Sequence, residues 1–246
     1  MTLSLIIPLK NEDNVIKNTL RIIEESWITQ INHEVILIDD FSNDRTWDII
    51  SNYKSDKIKV KFFKNETGGI GSAISLGIKN SENLYVAIFM SDLSDSLDDL
   101  KKYYDMISTE NLDAILGSRF IKGSSVNNYP LLKYTLNRTA NTLIGLAFFN
   151  RYNDYTNAFK IYKRNVLDEL QPIVSQSFNI FLELSLKIIS RKYDYKIIPI
   201  SWNGRKLGES KFKIDELGAK YIFTFFYCYL EKILIKKKKL KKYLKN

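Results

Sequence analysis

Residues 84–100 read LYVAIFMSDLSDSLDDL, an apolar run that ends abruptly in acidic and hydroxyl side chains. A short run rich in β-branched and aromatic residues, followed by helix-start residues, predicts a buried parallel strand that leads into a helix. Asp92 and Asp95 would then lie at the carboxyl end of that strand, where α/β proteins bind their ligands. An earlier apolar run ends in the same way in Asp39 and Asp40. We therefore expect two acidic strand ends to face one ligand.

The first half of the chain alternates between strand-like and helix-like segments up to about residue 116. Such alternation predicts an α/β fold with a mostly parallel, doubly wound sheet flanked by helices. With 246 residues, 45% of them apolar, the chain can bury one α/β core and carry additional helices. We expect a domain over residues 1–214 and a C-terminal helical segment over residues 215–246.

The basic charge is concentrated at the end of the chain. The formal net charge is +9, but residues 232–246 hold eight lysines and no acidic residue, so the rest carries only +1. This distribution does not favour a nucleic-acid-binding body. The single cysteine, Cys228, and the single histidine, His33, exclude an internal disulfide, a Cys/His zinc site and a histidine-based triad.

The C-terminal segment combines two features of membrane-surface helices. Residues 221–230 form an uncharged aromatic stretch of ten residues, whereas a bilayer span needs about 20. Together with the lysine tail, this stretch predicts an amphipathic helix in the membrane interface, with the lysines on anionic lipid headgroups. A helix packed on the core with a solvated tail is the alternative. The apolar stretch 131–149 has the same two interpretations, a lipid-facing helix or a core helix.

Other features bear on location and assembly. No charged leader precedes the first apolar run, and Pro8 interrupts that run early. We therefore expect no secretory signal and a cytoplasmic protein, peripheral on the cytoplasmic face of a membrane. Formation of a homo-oligomer through the terminal helices is compatible with the sequence.

Two motifs follow predicted strands in the first half. Pro8, Asn11 and Glu12 stand at a strand-to-helix junction, where they could cap the helix or offer polar groups to a nucleotide. Gly69 and Gly71 precede a predicted helix, where backbone amides could meet a phosphate. A tight turn that permits helix packing explains these glycines equally well.

The candidate metal ligands are Asp92 and Asp95. Mg²⁺ is typically held by one or two carboxylates together with substrate phosphates and water. Capping of the following helix explains Asp95 equally well. Arg119 follows another predicted strand, where a guanidinium suits bidentate phosphate binding. A later polar loop that could close over an anionic substrate holds Arg205, Ser210 and Lys211.

Taken together, these motifs resemble the polyprenyl-phosphate glycosyltransferases, the dolichyl-phosphate mannose synthase-like branch of family 2 glycosyltransferases. The matching stretches are PLKNE at 8–12, IDDFSNDRT at 38–46, GGIGSAISLGI at 68–78, MSDLSDSLDDL at 90–100, GSRFIKG at 117–123, NRTAN at 137–141, DYTNAFKIYKR at 154–164 and GESKF at 208–212. The resemblance implies a GT-A fold, a nucleoside-diphosphate sugar donor, Mg²⁺ or Mn²⁺, inversion at the anomeric carbon and a polyprenyl phosphate acceptor.

The resemblance also implies roles for individual residues. The donor would contact Pro8, Leu9, Asn11, Glu12, Asp39, Asp40, Gly69, Gly71, Ser91 and Asp92. The acceptor phosphate would contact Arg119, Arg205, Ser210 and Lys211. Asp92 would hold the metal with help from Asp95, and the catalytic set would be Asp92, Arg119 and Asp154, the last near the acceptor. Met90 stands where the family commonly has the first Asp of an Asp-x-Asp motif.

The function that these observations favour is transfer of a hexose from a nucleoside diphosphate to polyprenyl phosphate. The acceptor phosphate has a second pKa of about 6, so it is largely ionised at neutral pH and needs no strong general base. One alternative is transfer to a hydroxyl of a saccharide or glycolipid, with Asp154 as the base. Another is a catalytically silent nucleotide-sugar-binding protein that lost the Asp at position 90.

Overall fold

The computed structural model describes residues 2–204 and 214–234, without the side chains of residues 214–217. Its nine described strands are β1 (Thr2–Leu9), β2 (Asn32–Asp39), β3 (Val60–Lys64), β4 (Tyr85–Ile88), β5 (Ala114–Ser118), β6 (Ser125–Asn127), β7 (Lys160–Lys163), β8 (Tyr195–Pro199) and β9 (Ser201–Asn203). Seven of them form one sheet in the order β3-β2-β1-β4-β7-β5-β8, while β6 and β9 pair separately. Within the large sheet only β7 runs antiparallel to its neighbours. The predicted mostly parallel α/β sheet is confirmed.

Eight helices connect these strands in the described part of the chain. They are α1 (Ile16–Glu24), α2 (Thr46–Ser51), α3 (Ile70–Lys79), α4 (Leu97–Thr109), α5 (Leu131–Phe148), α6 (Arg164–Glu169), α7 (Ile180–Ser190) and α8 (Ile214–Leu234), with a short 3-10 turn at Trp27–Gln30. The strand β4 and the helix α4 flank the acidic stretch at residues 91–96. This stretch therefore lies at the carboxyl end of a central strand.

The large sheet is covered on both faces. Along β1, Ile6 points into a core cluster shared with α3 and α7, whereas Leu5 and Ile7 point into a second cluster shared with α1 and α4. A strand buried on both faces has no polar side to alternate with its apolar side. This is why the central strands are visible in the sequence as continuous apolar runs.

The helix α8 is buried on one side and exposed on the other. Thr224 and Cys228 are fully buried, and Glu231 forms an ion pair with Arg191 at the end of α7. The opposite side exposes Ile222, Phe223, Phe226, Leu230, Ile233 and Leu234. The buried side agrees with the interpretation of a helix packed on the core, and contact of the exposed side with a membrane stays a prediction. Among the described residues, no helix has the length and apolar character that crossing a membrane requires.

Candidate functional site

The candidate site lies at the carboxyl ends of β1, β2 and β4. In the sheet, β2 and β4 lie on either side of β1, and all three are parallel. Asp39 ends β2 and Asp40 follows it, while Ser91 and Asp92 follow β4. The structure therefore brings the two acidic strand ends to one edge of the sheet. Pro8 and Leu9 are buried residues of β1 itself.

The loops that follow β1 and β2 are tied together by hydrogen bonds. The backbone N–H of Asn11 donates to Ser42 Oγ at 2.9 Å, and its side-chain Oδ1 accepts from the backbone N–H of Asn43 at 2.8 Å. The backbone N–H of Glu12 donates to Thr46 Oγ1 at 2.7 Å. These contacts fix the shape of the rim on which Asn11 and Glu12 stand. Their contact with a donor stays a prediction.

The two aspartates at the end of β2 have different surroundings. Asp40 Oδ1 accepts from Asn65 Nδ2 and from the backbone N–H of Gly69, both at 2.7 Å. Asp39 is buried, and its Oδ1 has no hydrogen-bond partner in the described part of the chain. Asp40 therefore holds in place the turn at Gly68 and Gly69, which we call the glycine turn. Asp39 keeps one oxygen that can accept a hydrogen bond from an N–H or O–H group of a ligand.

Gly69 and Gly71 pack against the backbone of a neighbouring loop. Gly69 has a φ of 95°, and a Cβ there would lie 2.2 Å from the carbonyl oxygen of Gln176. A Cβ on Gly71 would lie 2.3 Å from the carbonyl oxygen of Ser175, and the Gly71 N–H donates to Gln176 O at 2.9 Å. The packing interpretation thus explains why glycine is needed at both positions, and the predicted contact of this turn with the donor stays a prediction.

Gly71→Ala should lower the free energy of unfolding by about 1–3 kcal/mol, because overpacking forces the backbone of the neighbouring loop to move. The matched control is Gly218→Ala in α8, where a Cβ would meet nothing within 4 Å. This second change should be neutral or should stabilise by about 0.5–1 kcal/mol through helix propensity. Urea unfolding followed by circular dichroism measures both. Equal effects at the two positions would contradict the packing role.

The loop between β4 and α4 carries the acidic side chains. Asp92 Oδ1 accepts from the backbone N–H of Ser94 at 3.0 Å. Asp95 is only 5% exposed, and its Oδ1 has no hydrogen-bond partner among the described residues, as is also true of the buried Ser91 Oγ. The helix α4 is capped by Ser96, whose side chain accepts from the backbone N–H of Asp98. Capping of α4 therefore does not explain Asp95.

The electrostatic setting of Asp95 suits a cation. Burial raises the pKa of its carboxyl to about 8, and the nearby Asp92 and Asp154 carboxylates add to this effect while Arg119 opposes it. A buried carboxylate oxygen without a protein donor is a hard oxygen ligand of the kind that Mg²⁺ and Mn²⁺ take. The described residues contain no cluster of three or more His, Cys, Asp or Glu side chains placed to hold a metal. The unpartnered Asp95 oxygen fits a cation of this kind, and metal ligation by Asp92 and Asp95 stays a prediction.

Arg119 and Asp154 form a buried ion pair beside this loop. Asp154 Oδ2 accepts from the Arg119 backbone N–H and from Nε, each at 2.9 Å, and Oδ1 accepts from Nη2 at 2.7 Å. Burial lowers the pKa of the Arg119 guanidinium, but Asp154 outweighs burial and the net shift is upward. Both carboxylate oxygens of Asp154 are thus directed at Arg119. The sequence analysis predicted both residues and missed their pairing.

Aromatic rings surround the Arg119 guanidinium. Its central carbon lies 5.3 Å from the ring centroids of Phe120 and Tyr129 and 5.7 Å from that of Trp202. Arg138 lies over the other side of this cluster, 4.7 Å from the Phe120 centroid. These aromatic residues were not predicted from the sequence. Tyr129 and Trp202 are 73 positions apart in the chain, and only the fold brings them together.

A buried lysine stiffens the segment that carries Asp154. Lys160 Nζ donates to the backbone carbonyls of Tyr155, Asn157 and Phe181. Burial lowers the pKa of Lys160 to about 7, with Asp154 acting in the opposite direction. The sequence analysis also missed this residue, because a single lysine in an apolar stretch gives no signal of its carbonyl partners. The predicted acceptor residues Arg205, Ser210 and Lys211 lie outside the described residues.

Comparisons with known proteins agree on the family and the fold. The chain is 28% identical to a dolichol-phosphate mannosyltransferase of Pyrococcus furiosus over 87% of this chain and 60% of that protein. It is 25% identical to a polyprenol monophosphomannose synthase of Mycolicibacterium smegmatis over 76% of each. These names belong to the branch of the family that the sequence resembles. The chain spans 60% of the length of the Pyrococcus furiosus relative.

Solved structures show the same fold at low sequence identity. Glucosyl-3-phosphoglycerate synthase of Mycobacterium tuberculosis, in complex with Mn²⁺, UDP and glucosyl-3-phosphoglycerate, has a TM-score of 0.67 at 15% identity, over 92% of this chain and 79% of that one. Residues 1–349 of TarS from S. aureus give a TM-score of 0.64 at 16% identity, over 98% and 68%. The expected GT-A fold is confirmed. The sequence model of "Glycosyl transferase family 2" matches residues 4–171, more than half of the chain, and the chain therefore belongs to glycosyl transferase family 2.

Proposed function

We propose that this protein is an inverting glycosyltransferase that moves a hexose from a nucleoside-diphosphate sugar to polyprenyl phosphate. The observation that carries the proposal is the set of buried, unpartnered oxygens at the shared strand ends, Asp39 Oδ1, Ser91 Oγ and Asp95 Oδ1. Burying a polar oxygen without a partner costs free energy, so such a cluster indicates a ligand that supplies donors or positive charge. The names of the curated relatives support polyprenyl phosphate as the acceptor class.

The donor half of the proposal rests on the loop at residues 89–96 between β4 and α4, which we call the acidic loop. Asp92 and Asp95 would hold Mg²⁺ or Mn²⁺, which supplies positive charge to the diphosphate that leaves. Asp39, on the far side of β1, would accept a hydrogen bond from the nucleoside. The Mn²⁺ and UDP in the Mycobacterium tuberculosis structure support this donor and metal class.

The acceptor half rests on Arg119. Its guanidinium is charged at neutral pH, and Asp154 raises its pKa further. An ionised phosphate acceptor is already nucleophilic, so the protein needs to align it and to relieve its repulsion with the donor diphosphate. A hydroxyl acceptor would instead need a base. Asp154 has both oxygens occupied by Arg119, which favours the phosphate acceptor over the hydroxyl alternative.

The proposal is tested by a donor screen. UDP- and GDP-sugars are presented with Mg²⁺ or Mn²⁺, with and without a short polyprenyl phosphate, and release of the nucleoside diphosphate is followed. We expect release that requires both the metal and the lipid phosphate, with inverted configuration in the product. Nucleotide binding without release under any condition would favour the silent binding protein, and release with a saccharide in place of the lipid would favour the hydroxyl acceptor.

Asp92→Asn should lower turnover on the order of a hundredfold, because it removes a charge that holds the metal on the leaving group. The matched control is Asp98→Asn, an exposed carboxylate in the first turn of α4. The control should keep wild-type turnover, and both variants should unfold at the wild-type urea concentration. Unchanged turnover of Asp92→Asn at limiting metal would contradict the assigned role.

The lipid acceptor implies contact with a membrane surface, which we place on α5 and α8. The two helices meet where Phe148 contacts Phe225 and Tyr229 at centroid distances of 5.7 and 5.8 Å. Besides the exposed side of α8, α5 exposes Leu131, Leu132, Tyr134, Leu136, Leu143 and Leu146. Two neighbouring helices with exposed apolar sides, followed by a lysine-rich tail, fit peripheral binding to the anionic cytoplasmic face of a membrane.

Phe223→Asp should weaken binding to phosphatidylglycerol vesicles roughly tenfold or more, because burying one large apolar side chain contributes about 1.5–3 kcal/mol. The matched control is Leu84→Asp, an apolar residue of similar exposure (50% against 61%) at the amino end of β4. Vesicle flotation of the full chain measures both. Equal flotation of the two variants would contradict the assignment of this surface.

A further inference from the structure

Phe41, directly after the two aspartates of β2, has an unusual backbone and an exposed ring. Its φ is 56°, in the left-handed region that favours glycine, and its side chain is 54% exposed. A bulky aromatic residue in that conformation is strained, and such strain persists where the surrounding structure enforces it, often at a ligand site. An exposed ring alone would need no explanation, but an exposed ring held in a strained conformation does.

The backbone on both sides of Phe41 is pinned. Before it, the Asp40 N–H donates to Leu9 O at 2.7 Å. After it, Ser42 Oγ accepts from the Asn11 N–H at 2.9 Å. Relief of the strained φ would therefore break contacts between the loops that follow β1 and β2. These contacts hold the Phe41 ring at the rim of the candidate site.

One edge of the Phe41 ring packs on the turn at Gly68. A Cβ built on Gly68 would be 3.6 Å from Phe41 Cε2, so one part of the ring packs on the glycine turn while the rest is open. Two residues earlier, Asp39 Oδ1 is buried without a partner among the described residues. An open aromatic surface close to an unpaired acceptor matches a nucleobase, which has a flat π face and N–H groups on its edge.

We propose that the Phe41 ring stacks on the nucleobase of the donor and thereby sets the affinity for the nucleoside part. The inference rests on the proposed function, since it requires a nucleoside-diphosphate donor. Stacking tolerates either a pyrimidine or a purine, because every base has a π face. Phe41 is thus a binding residue for the base, while the diphosphate is bound elsewhere, at the acidic loop.

The test is isothermal titration calorimetry of the full chain with UDP and GDP in the presence of Mn²⁺, and with inorganic pyrophosphate as a probe without a base. Phe41→Ala should weaken binding of the preferred nucleoside diphosphate roughly 5- to 100-fold, the range that loss of one base stack produces. Binding of pyrophosphate should be unchanged. Phe41→Tyr should keep the wild-type affinity, because it keeps the ring.

Two further variants separate binding from folding. Phe41→Gly should bind the nucleoside diphosphate as weakly as Phe41→Ala, yet unfold at no lower urea concentration than the wild type, because glycine accepts the positive φ. Phe62→Ala, which removes an exposed ring from the middle of β3, should leave nucleotide affinity unchanged. Wild-type affinity in Phe41→Ala would overturn this inference alone. Failure of the wild type to bind UDP and GDP would overturn the proposed function and this inference with it.

Discussion

Asp154→Asn should lower the free energy of unfolding by about 3–5 kcal/mol, because it leaves a buried guanidinium without its counter-charge. The side chain of Asp154 is fully buried, and that of Arg119 is 9% exposed. Three N–H groups of Arg119 converge on the two carboxylate oxygens. An asparagine would turn an N–H₂ group toward some of these donors, which adds repulsion to the lost charge. Urea unfolding followed by tryptophan fluorescence measures the effect.

A double-mutant cycle separates the pair from its parts. Arg119→Met and Asp154→Leu, as single changes, should each cost about as much as Asp154→Asn, since each leaves a buried charge without its partner. The double variant Arg119→Met with Asp154→Leu should cost much less than the sum of the two single changes, because apolar side chains often replace a buried ion pair without loss. Wild-type stability of Asp154→Asn combined with lost turnover would make Asp154 a catalytic base and contradict its structural role.

The parts of the fold that the sequence predicted are those governed by local pattern. The strands β1, β2 and β4 are apolar runs because both faces of the sheet are covered, and the alternation with helices implied the parallel order. Residues 195–199 and 201–203 form two strands in different sheets, β8 and β9, separated by a single residue. The antiparallel strand β7, inserted between β4 and β5, was not predicted. Its four residues, Lys160–Lys163, carry no signal of direction or partner.

Only those residues of the candidate site that lie at the ends of strands could be predicted from the sequence. Asp39 ends one apolar run, and Asp92 and Asp95 lie within five positions of the end of another. The topology alone therefore places them at one edge of the sheet. The partners of Arg119 were not predictable in this way, because Asp154 lies 35 positions along the chain. The backbone conformation of Phe41 could not be predicted, because a sequence indicates a positive φ only where glycine or asparagine occupies the position.

Glu183→Gln should also lower the free energy of unfolding by about 3–5 kcal/mol, because Lys187 would then be a buried charge without a counter-ion. The two side chains are fully buried, with Lys187 Nζ 2.7 Å from Glu183 Oε1. Glu183 further accepts from the backbone N–H groups of Val174 and Ser175, and Lys187 donates to the carbonyl of Leu170 at 3.1 Å. The pair thus ties a whole loop to α7.

The exposed pair of Lys101 and Asp105 in α4 is the matched control. It has the same spacing of four residues and an N–O distance of 2.6 Å, with side chains 44% and 53% exposed. Asp105→Asn should cost at most about 0.5 kcal/mol, because exposed pairs contribute little. Equal losses in Glu183→Gln and Asp105→Asn would show that burial does not decide the strength of the pair.

The loop held by Glu183 also connects stability to the candidate site. Its Gln176 carbonyl accepts from the Gly71 N–H at 2.9 Å, and the same glycine turn donates through Gly69 to Asp40. Loosening the loop should therefore raise the KM for the nucleotide sugar more than it lowers kcat, because the turn is bonded to Asp40, next to the proposed nucleoside-binding Asp39. Glu183→Gln assayed well below its unfolding temperature provides the measurement. A loss confined to kcat would mean that the loop acts on the chemistry rather than on the shape of the donor site.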